Sequence, residues 1–277
     1  MTYLRLFGTF ALAVAASIAG ASTVRAEDTS RAPVAQASTP GLIVGRLEVA
    51  HVRGGMVRAF DPVLGNSLLK RGMVLRPGAV ITTDAKAFVH LWMNNGAHVV
   101  LMPSSELAVF RSDVAPGAKL PTKDFAKIGS EPTSSNTQLN LSYGRVIVEV
   151  RKLNIPQSVF RVFTPFAEAS VKGTIFAVEQ GEDYARILTV KGCVAAVPLL
   201  ADLGDKATVD EGKYVVYRRG RGKRFTVDTL SPGEIDKILQ ELAVEEALEP
   251  FDEVRDDERV TVEHVDKGRT TSKENGE

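Results

Sequence analysis

From Leu42 onward the chain is cut into short runs in which apolar and polar residues alternate. Examples are LIVGRLEVAHV, KAFVHLWM, AHVVLM, GRVIVEVRK, VFRVFT, TIFAVEQ, YARILTV and KYVVYRR, rich in Val, Ile, Phe and Leu and separated by Gly, Pro, Asn or Asp. A period of two puts successive side chains on opposite sides of a strand, so each run buries one face and shows the other. Many such strands at close spacing predict an all-β fold over 42–230. The form expected is a sandwich or roll, or a β-helix-like stack of short strands, with one C-terminal capping helix. WMNNGAHV is the clearest hairpin signal, because Asn-Asn-Gly tolerates the positive φ angles of a tight turn.

A loose internal repeat runs through the pattern. AVITTDAKAFVHLWMNNGAHVVLMPSSELAVF and RVFTPFAEASVKGTIFAVEQGEDYARILTVKGCVAAV each hold a strand ending in Thr (Thr83, Thr164) and a corner with Ala. Each continues with a strand carrying aromatics (Phe88 and Trp92; Phe176), a turn with Gly (Gly96, Gly181) and an apolar strand. Units of this size stack edge to edge. Residues 112–138 interrupt the pattern with three prolines and little alternation, which predicts a long loop inside the domain. Ser231-Pro232-Gly233-Glu234 reads as a capping box with proline at the first helical position, and Ile235, Ile238, Leu239 and Leu242 follow at helical spacing. A helix over 231–249 is expected. Beyond it, residues 250–277 have too little apolar surface to fold and read as a disordered acidic tail. From Glu241 to the end there are 13 acidic residues against 5 basic ones, so the remainder is net basic although the whole chain is neutral.

The N-terminus reads as an export signal. A short start with one arginine precedes the apolar, small-residue run LFGTFALAVAASIAGAS, and TVRA ends it, which predicts a signal peptide over 1–26 with cleavage after Ala26. An uncleaved anchor is the rival reading, since the run is near the lower limit for spanning a bilayer. Residues 27–41 read as a linker. The single cysteine, Cys193, allows no internal disulfide.

The order of motifs carries a resemblance. NGAHVVLMPSSEL (95–107) is followed by GRVIVEV (144–150), by F-x-V-x-TP over 160–165 and by A-x-V-x-GT-x-F-x-V over 169–178. GCVAAV (192–197) and a strand-Gly-strand segment at 209–216 complete the series. This resembles the FecR family domain over roughly 45–217. The resemblance implies an exported, all-β, non-enzymatic domain, which in the founding regulators passes a transporter's signal to a sigma factor. Here only five residues precede the apolar run, so the chain looks like a stand-alone exported form without the cytoplasmic anti-sigma segment.

The chemistry-bearing residues point the same way. Thr164, Pro165, Gly173, Thr174 and Phe176 read as structural motif residues: VKGTIF has one glycine and enters a strand, whereas a phosphate cradle needs several glycines and a following helix. His90 and His98 flank the Asn-Asn-Gly turn without a third ligand in sight, and His51 and His264 lie in unrelated segments, so no metal site is expected. Cys193 reads as a buried strand residue with no base beside it, and Ser104-Ser105 as a turn. The basic run YRRGRGKRF crowds Arg218, Arg219, Arg221, Lys223 and Arg224 at a hairpin tip. This is a candidate contact for an anionic surface, or simply a solvated end. It lacks the interleaved aromatics that nucleic-acid binding uses. The expectation is thus a periplasmic or secreted interaction module with no cofactor, whose partner is an envelope protein or a glycan. Carbohydrate or cell-surface binding is the alternative function, and a cryptic hydrolase using Cys193 or His98 the remote one.

Overall fold

The computed structural model describes residues 43–115, 120–153, 155–220 and 225–243. The expected signal peptide, linker and acidic tail lie outside the described residues, as do Arg221, Lys223, Arg224 and the last residues of the expected helix. The first strands are β1 Ile43–Val44, β2 Leu47–Arg53, β3 Val57–Asp61, β4 Gly65–Leu68, β5 Val74–Leu75, β6 Val80–Thr83, β7 Phe88–Met93, β8 His98–Leu101 and β9 Glu106–Val114. A 3-10 turn at Phe125–Lys127 precedes the 16-residue β10, Ser135–Val150. Then come β11 Val159–Phe163, β12 Ala167–Val171, β13 Thr174–Gln180, β14 Tyr184–Lys191, β15 Cys193–Pro198, β16 Ala207–Asp210, β17 Lys213–Arg218 and β18 Phe225–Thr229. Helix α1 spans Pro232–Leu242. Among the described residues no helix is long and apolar enough to cross a membrane.

Two sheets share β10. The first runs β4-β3-β6-β9-β10-β11-β12-β15-β16, with β1 beside the far end of β9. The second runs β5-β2-β7-β8-β10-β13-β14-β17-β18. All neighbours are antiparallel except β10 and β11. The described pairings leave β4, β16, β5 and β18 as edges, so the sheets do not close into a barrel.

β10 changes sheet halfway along. Its residues 135–143 pair with β9 and its residues 144–150 with β13, with a register shift between Leu141 and Tyr143. Gly144 sits at that bend at φ +90°, where a Cβ would collide with Ser105 Oγ. A bulge and a glycine let one strand serve two packed layers, as at the corners of other sandwiches.

Alternation then fills the space between the layers. Ile81, Leu107, Leu139, Leu141, Phe160 and Val162 face inward from the first sheet; Leu47, Leu91, Met93, Val148, Phe176 and Tyr217 face inward from the second. The repeat seen in the sequence is a repeat of pairings. β6 in the first sheet leads to the β7–β8 hairpin in the second, and β9 returns to pair with β6. β12, the β13–β14 hairpin and β15 do the same. The equivalent of β6 is β12, so the unit begins one strand later than the Thr83–Thr164 match implies. The two threonines look alike in sequence but act differently. Thr83 Oγ1 donates to Met102 O at 2.7 Å and accepts from Ser105 N across the corner. Thr164 Oγ1 accepts from Phe166 N and Ala167 N within the turn that follows β11.

The loop is shorter than the sequence suggests. Strand β9 continues to Val114 and β10 begins at Ser135, so the connection is 115–134 rather than 112–138. Four of the extra strand residues, Ser112, Asp113, Ser135 and Thr137, are polar yet buried, which hid the strand ends from a hydrophobic pattern. Asn95 Nδ2 donates to Thr137 Oγ1 at 3.1 Å, Ser135 Oγ donates to Glu131 at 2.7 Å, and Ser135 N donates to Ser158 Oγ. A buried polar group that finds its partners costs little.

Candidate functional site: one open sheet face

The outer faces of the two sheets differ. On the second sheet, α1 lies across β8, β10, β13 and β14, packing Ile238 and Leu242 on Val100, Ile147, Ala177 and Leu188. Its start is a reciprocal cap: Ser231 Oγ accepts from Glu234 N at 3.3 Å, and Glu234 Oε2 accepts from Ser231 N at 3.1 Å. Ion pairs tie both ends down, Arg186 to Glu234 at 2.9 Å and Arg145 to Glu241 at 3.1 Å, with Glu179 between the two arginines. The Arg186 guanidinium, helped by Ser231, holds the Glu234 carboxyl down to about 2.

The histidines occupy the other end of this covered face. His90 Nδ1 and His98 Nε2 are 3.1 Å apart, and Trp92 stacks on the His98 ring at 4.2 Å. His51 joins them edge-on to His90 at 6.2 Å, because β2 pairs with β7. The sequence treated His51 as unrelated; a pairing across some 40 residues, with a bulge between Val49 and His51, brings it in. The 3-10 turn packs against β7, and Phe125 N donates to Glu48 at 3.0 Å. Burial, then the neighbouring His51, lowers the His90 pKa to about 4; burial, then His90, lowers that of His98 to about 3. Both rings are therefore neutral at ordinary pH. Among the described residues no group of three His, Cys, Asp or Glu side chains is placed to hold a metal.

On the first sheet nothing described covers the outer face. Two shallow grooves cross it. One, about 440 Å³, lies between Phe110 on β9, the outward side chains Gln138, Asn140 and Ser142 of β10, and Phe163, Thr164, Pro165 and Leu199. The other, about 400 Å³, is bounded by Arg58 and Phe60 of β3, Asn66 and Leu68 of β4, and Val80 and Thr82 of β6. Phe60, Leu68, Val197 and Leu199 are exposed apolar side chains on or beside this surface. Clustered apolar exposure on one face marks an interaction surface more often than a single exposed leucine does. Alternation of uncharged residues over N-T-Q-L-N-L-S is the sequence signal for the β10 ladder, and it was divided between the expected loop and the strand after it.

The motif residues fall at corners and along that face. Gly173, at φ +138°, lies between β12 and β13 where the chain crosses sheets, and a Cβ there would approach Lys152 Cα to 2.9 Å. Thr174 Oγ1 donates to Cys193 O, and Phe176 is fully buried. Thr164 and Pro165 are structural in the turn and also line the groove. Of the basic run, Arg218 ends β17 with its guanidinium over the Tyr184 ring, and Arg219 N donates to Asp183 O. Arg221, Lys223 and Arg224 lie outside the described residues.

Cys193 corrects an expectation. It is exposed, not buried: on β15 the inward residues are Val194 and Ala196, while Cys193, Ala195 and Val197 face solvent. The small residues on both sides gave no sign of which face was inward. The described histidines lie on the outer face of the opposite sheet, so Cys193 has none of them as a base.

Residues 79–195 match the model of the FecR protein family, a narrower span than the resemblance read from the motifs. None of the curated proteins matches the chain by sequence. Two crystal structures of a candidate anti-sigma factor from Parabacteroides distasonis are similar at 13% and 14% identity, each with a TM-score of 0.43. The match takes in 58% of this chain and 64% of each of those, so under two thirds of their length is represented here. Over residues 79–195, less than half of its length, the chain is thus similar to the FecR protein family.

Proposed function

We propose that the protein is an exported, non-enzymatic FecR-type interaction module of the cell envelope, working in envelope signalling through the outer face of its first sheet. The observation that carries this is the asymmetry of the two faces. One sheet is covered by α1 and the 3-10 turn, while the other leaves two grooves and exposed apolar side chains within and beside the FecR span. The non-enzymatic reading is supported by the separation of Cys193 from the described histidines and by neutral rings packed in a stack rather than aimed into a groove.

A photo-crosslinking residue placed at Asn140, in cells making the full chain, tests the face. Adducts are expected at Asn140 and not at Lys237, an exposed position on α1. Adducts at Lys237 alone, or at neither position, would refute the assignment. Export is tested separately by N-terminal sequencing of the mature protein, which is expected to begin at Glu27; recovery of an intact Met1 in the cytoplasm would refute it.

A further inference from the structure

We infer that the groove along β10 binds an uncharged, elongated glycan. This rests on reading the first sheet's outer face as the interaction surface, and it names the ligand class. Gln138, Asn140 and Ser142 point outward at every second position, so the row from Gln138 to Ser142 is about 14 Å long at strand spacing. These are half-buried donors and acceptors with spare capacity. The Gln138 amide donates only to Asn136 Oδ1 at 3.3 Å, and among the described residues the Asn140 and Ser142 side chains make no hydrogen bond.

The walls are apolar and partly aromatic: Phe110 on one side, Phe163 and Pro165 on the other. No charged side chain lines the groove. The nearest cations across the ladder, Arg111 and Arg161, are in register with Gln138 and already paired: Arg111 with Asp113, and Arg161 with Glu168 at 3.1 Å. A purely apolar partner would bury three polar groups without replacing their water, and an anionic one would find no free cation on the floor. A chain of neutral sugars suits both features. Its hydroxyls donate and accept at once along the amide row, and its ring C–H faces pack on the phenyl rings.

The test is a titration of the ¹⁵N-labelled full chain with cellohexaose, laminarihexaose, maltohexaose and fully N-acetylated chitohexaose, and with a hyaluronan hexasaccharide as the charged comparison. At least one neutral hexasaccharide is expected to shift the side-chain amide resonances of Gln138 and Asn140. Asn140→Ala and Phe163→Ala are each expected to weaken that binding tenfold or more, with circular dichroism and Tm unchanged. The inference is overturned if no neutral sugar moves these resonances, if both variants bind as the parent does, or if only hyaluronan binds. Adducts at Asn140 in cells, alongside failure of all the neutral sugars here, would remove the glycan and leave the interaction surface standing.

Discussion

Replacing the buried histidine pair should flatten the acid side of the protein's stability profile. His90 and His98 are 4% and 2% exposed, and their folded pKa values of about 4 and 3 lie well below the ordinary 6.5. Between those limits the unfolded chain binds protons that the folded chain refuses, so stability is complete above pH 6.5 and falls as pH drops toward the folded values. At pH 5 each unfolded imidazole gains roughly 2 kcal/mol from protonation that the folded ring does not, giving about 4 kcal/mol for the pair. That is a large share of the 5–15 kcal/mol by which domains are typically stable. The charges facing the pair act in the same sense or oppose it weakly. Arg53 and Arg151 disfavour a second positive charge, His51 is itself lowered, and Glu48 and Glu149 are the carboxylates in register on the same face. Glu234, held near 2, titrates below this window. Urea unfolding followed by Trp92 fluorescence at pH 7.5 and pH 5.0 measures the effect at the site, since Trp92 is the only tryptophan and stacks on His98. The parent should lose about 4 kcal/mol between the two pH values, and His90→Gln/His98→Gln should lose only a small fraction of that. A parent profile that is flat over this range, or a double variant with the full slope, would refute the reasoning.

Three further outcomes follow from single positions. Ile238→Ala removes the best-buried contact of α1 and should cost about 2–4 kcal/mol in urea, with dye binding to the uncovered sheet; an unchanged midpoint would mean the helix does not cover the sheet. Gly173→Ala forces a Cβ against the Lys152 backbone at a left-handed φ and should cost about 1–3 kcal/mol, more than Gly72→Ala, whose Cβ meets open space. Equal losses at the two glycines would contradict the corner role. Cys193 should react with a maleimide in the native protein within minutes, and labelling only after denaturation would place it in the core.

Much of this architecture was legible in the residues. The period-two runs, the Asn-Asn-Gly hairpin and the Ser231–Glu234 cap each depend on local chemistry, and local chemistry is written in consecutive residues. What the sequence concealed depends on which strands meet. His51 reaches His90 only through the β2–β7 pairing, and Ser135 and Thr137 become strand residues only because Asn95, Glu131 and Ser158 satisfy them. Cys193 faces outward because β15 pairs with β12 and β16 in a register that a small-residue pattern does not specify. The candidate site is of the same kind. The β10 ladder is visible as alternating uncharged residues, but its openness follows from where α1 packs, and α1 is far away in the chain.

Which of the two faces meets a partner is open to direct measurement. Hydroxyl-radical footprinting of the protein in envelope fractions of cells that make it, compared with the purified chain, reads that face side chain by side chain. Protection of Phe110, Phe163 and Leu199 with unchanged labelling of Leu239 on α1 is the predicted result. Protection of Leu239 with Phe110 and Phe163 labelled as in the purified protein would contradict it.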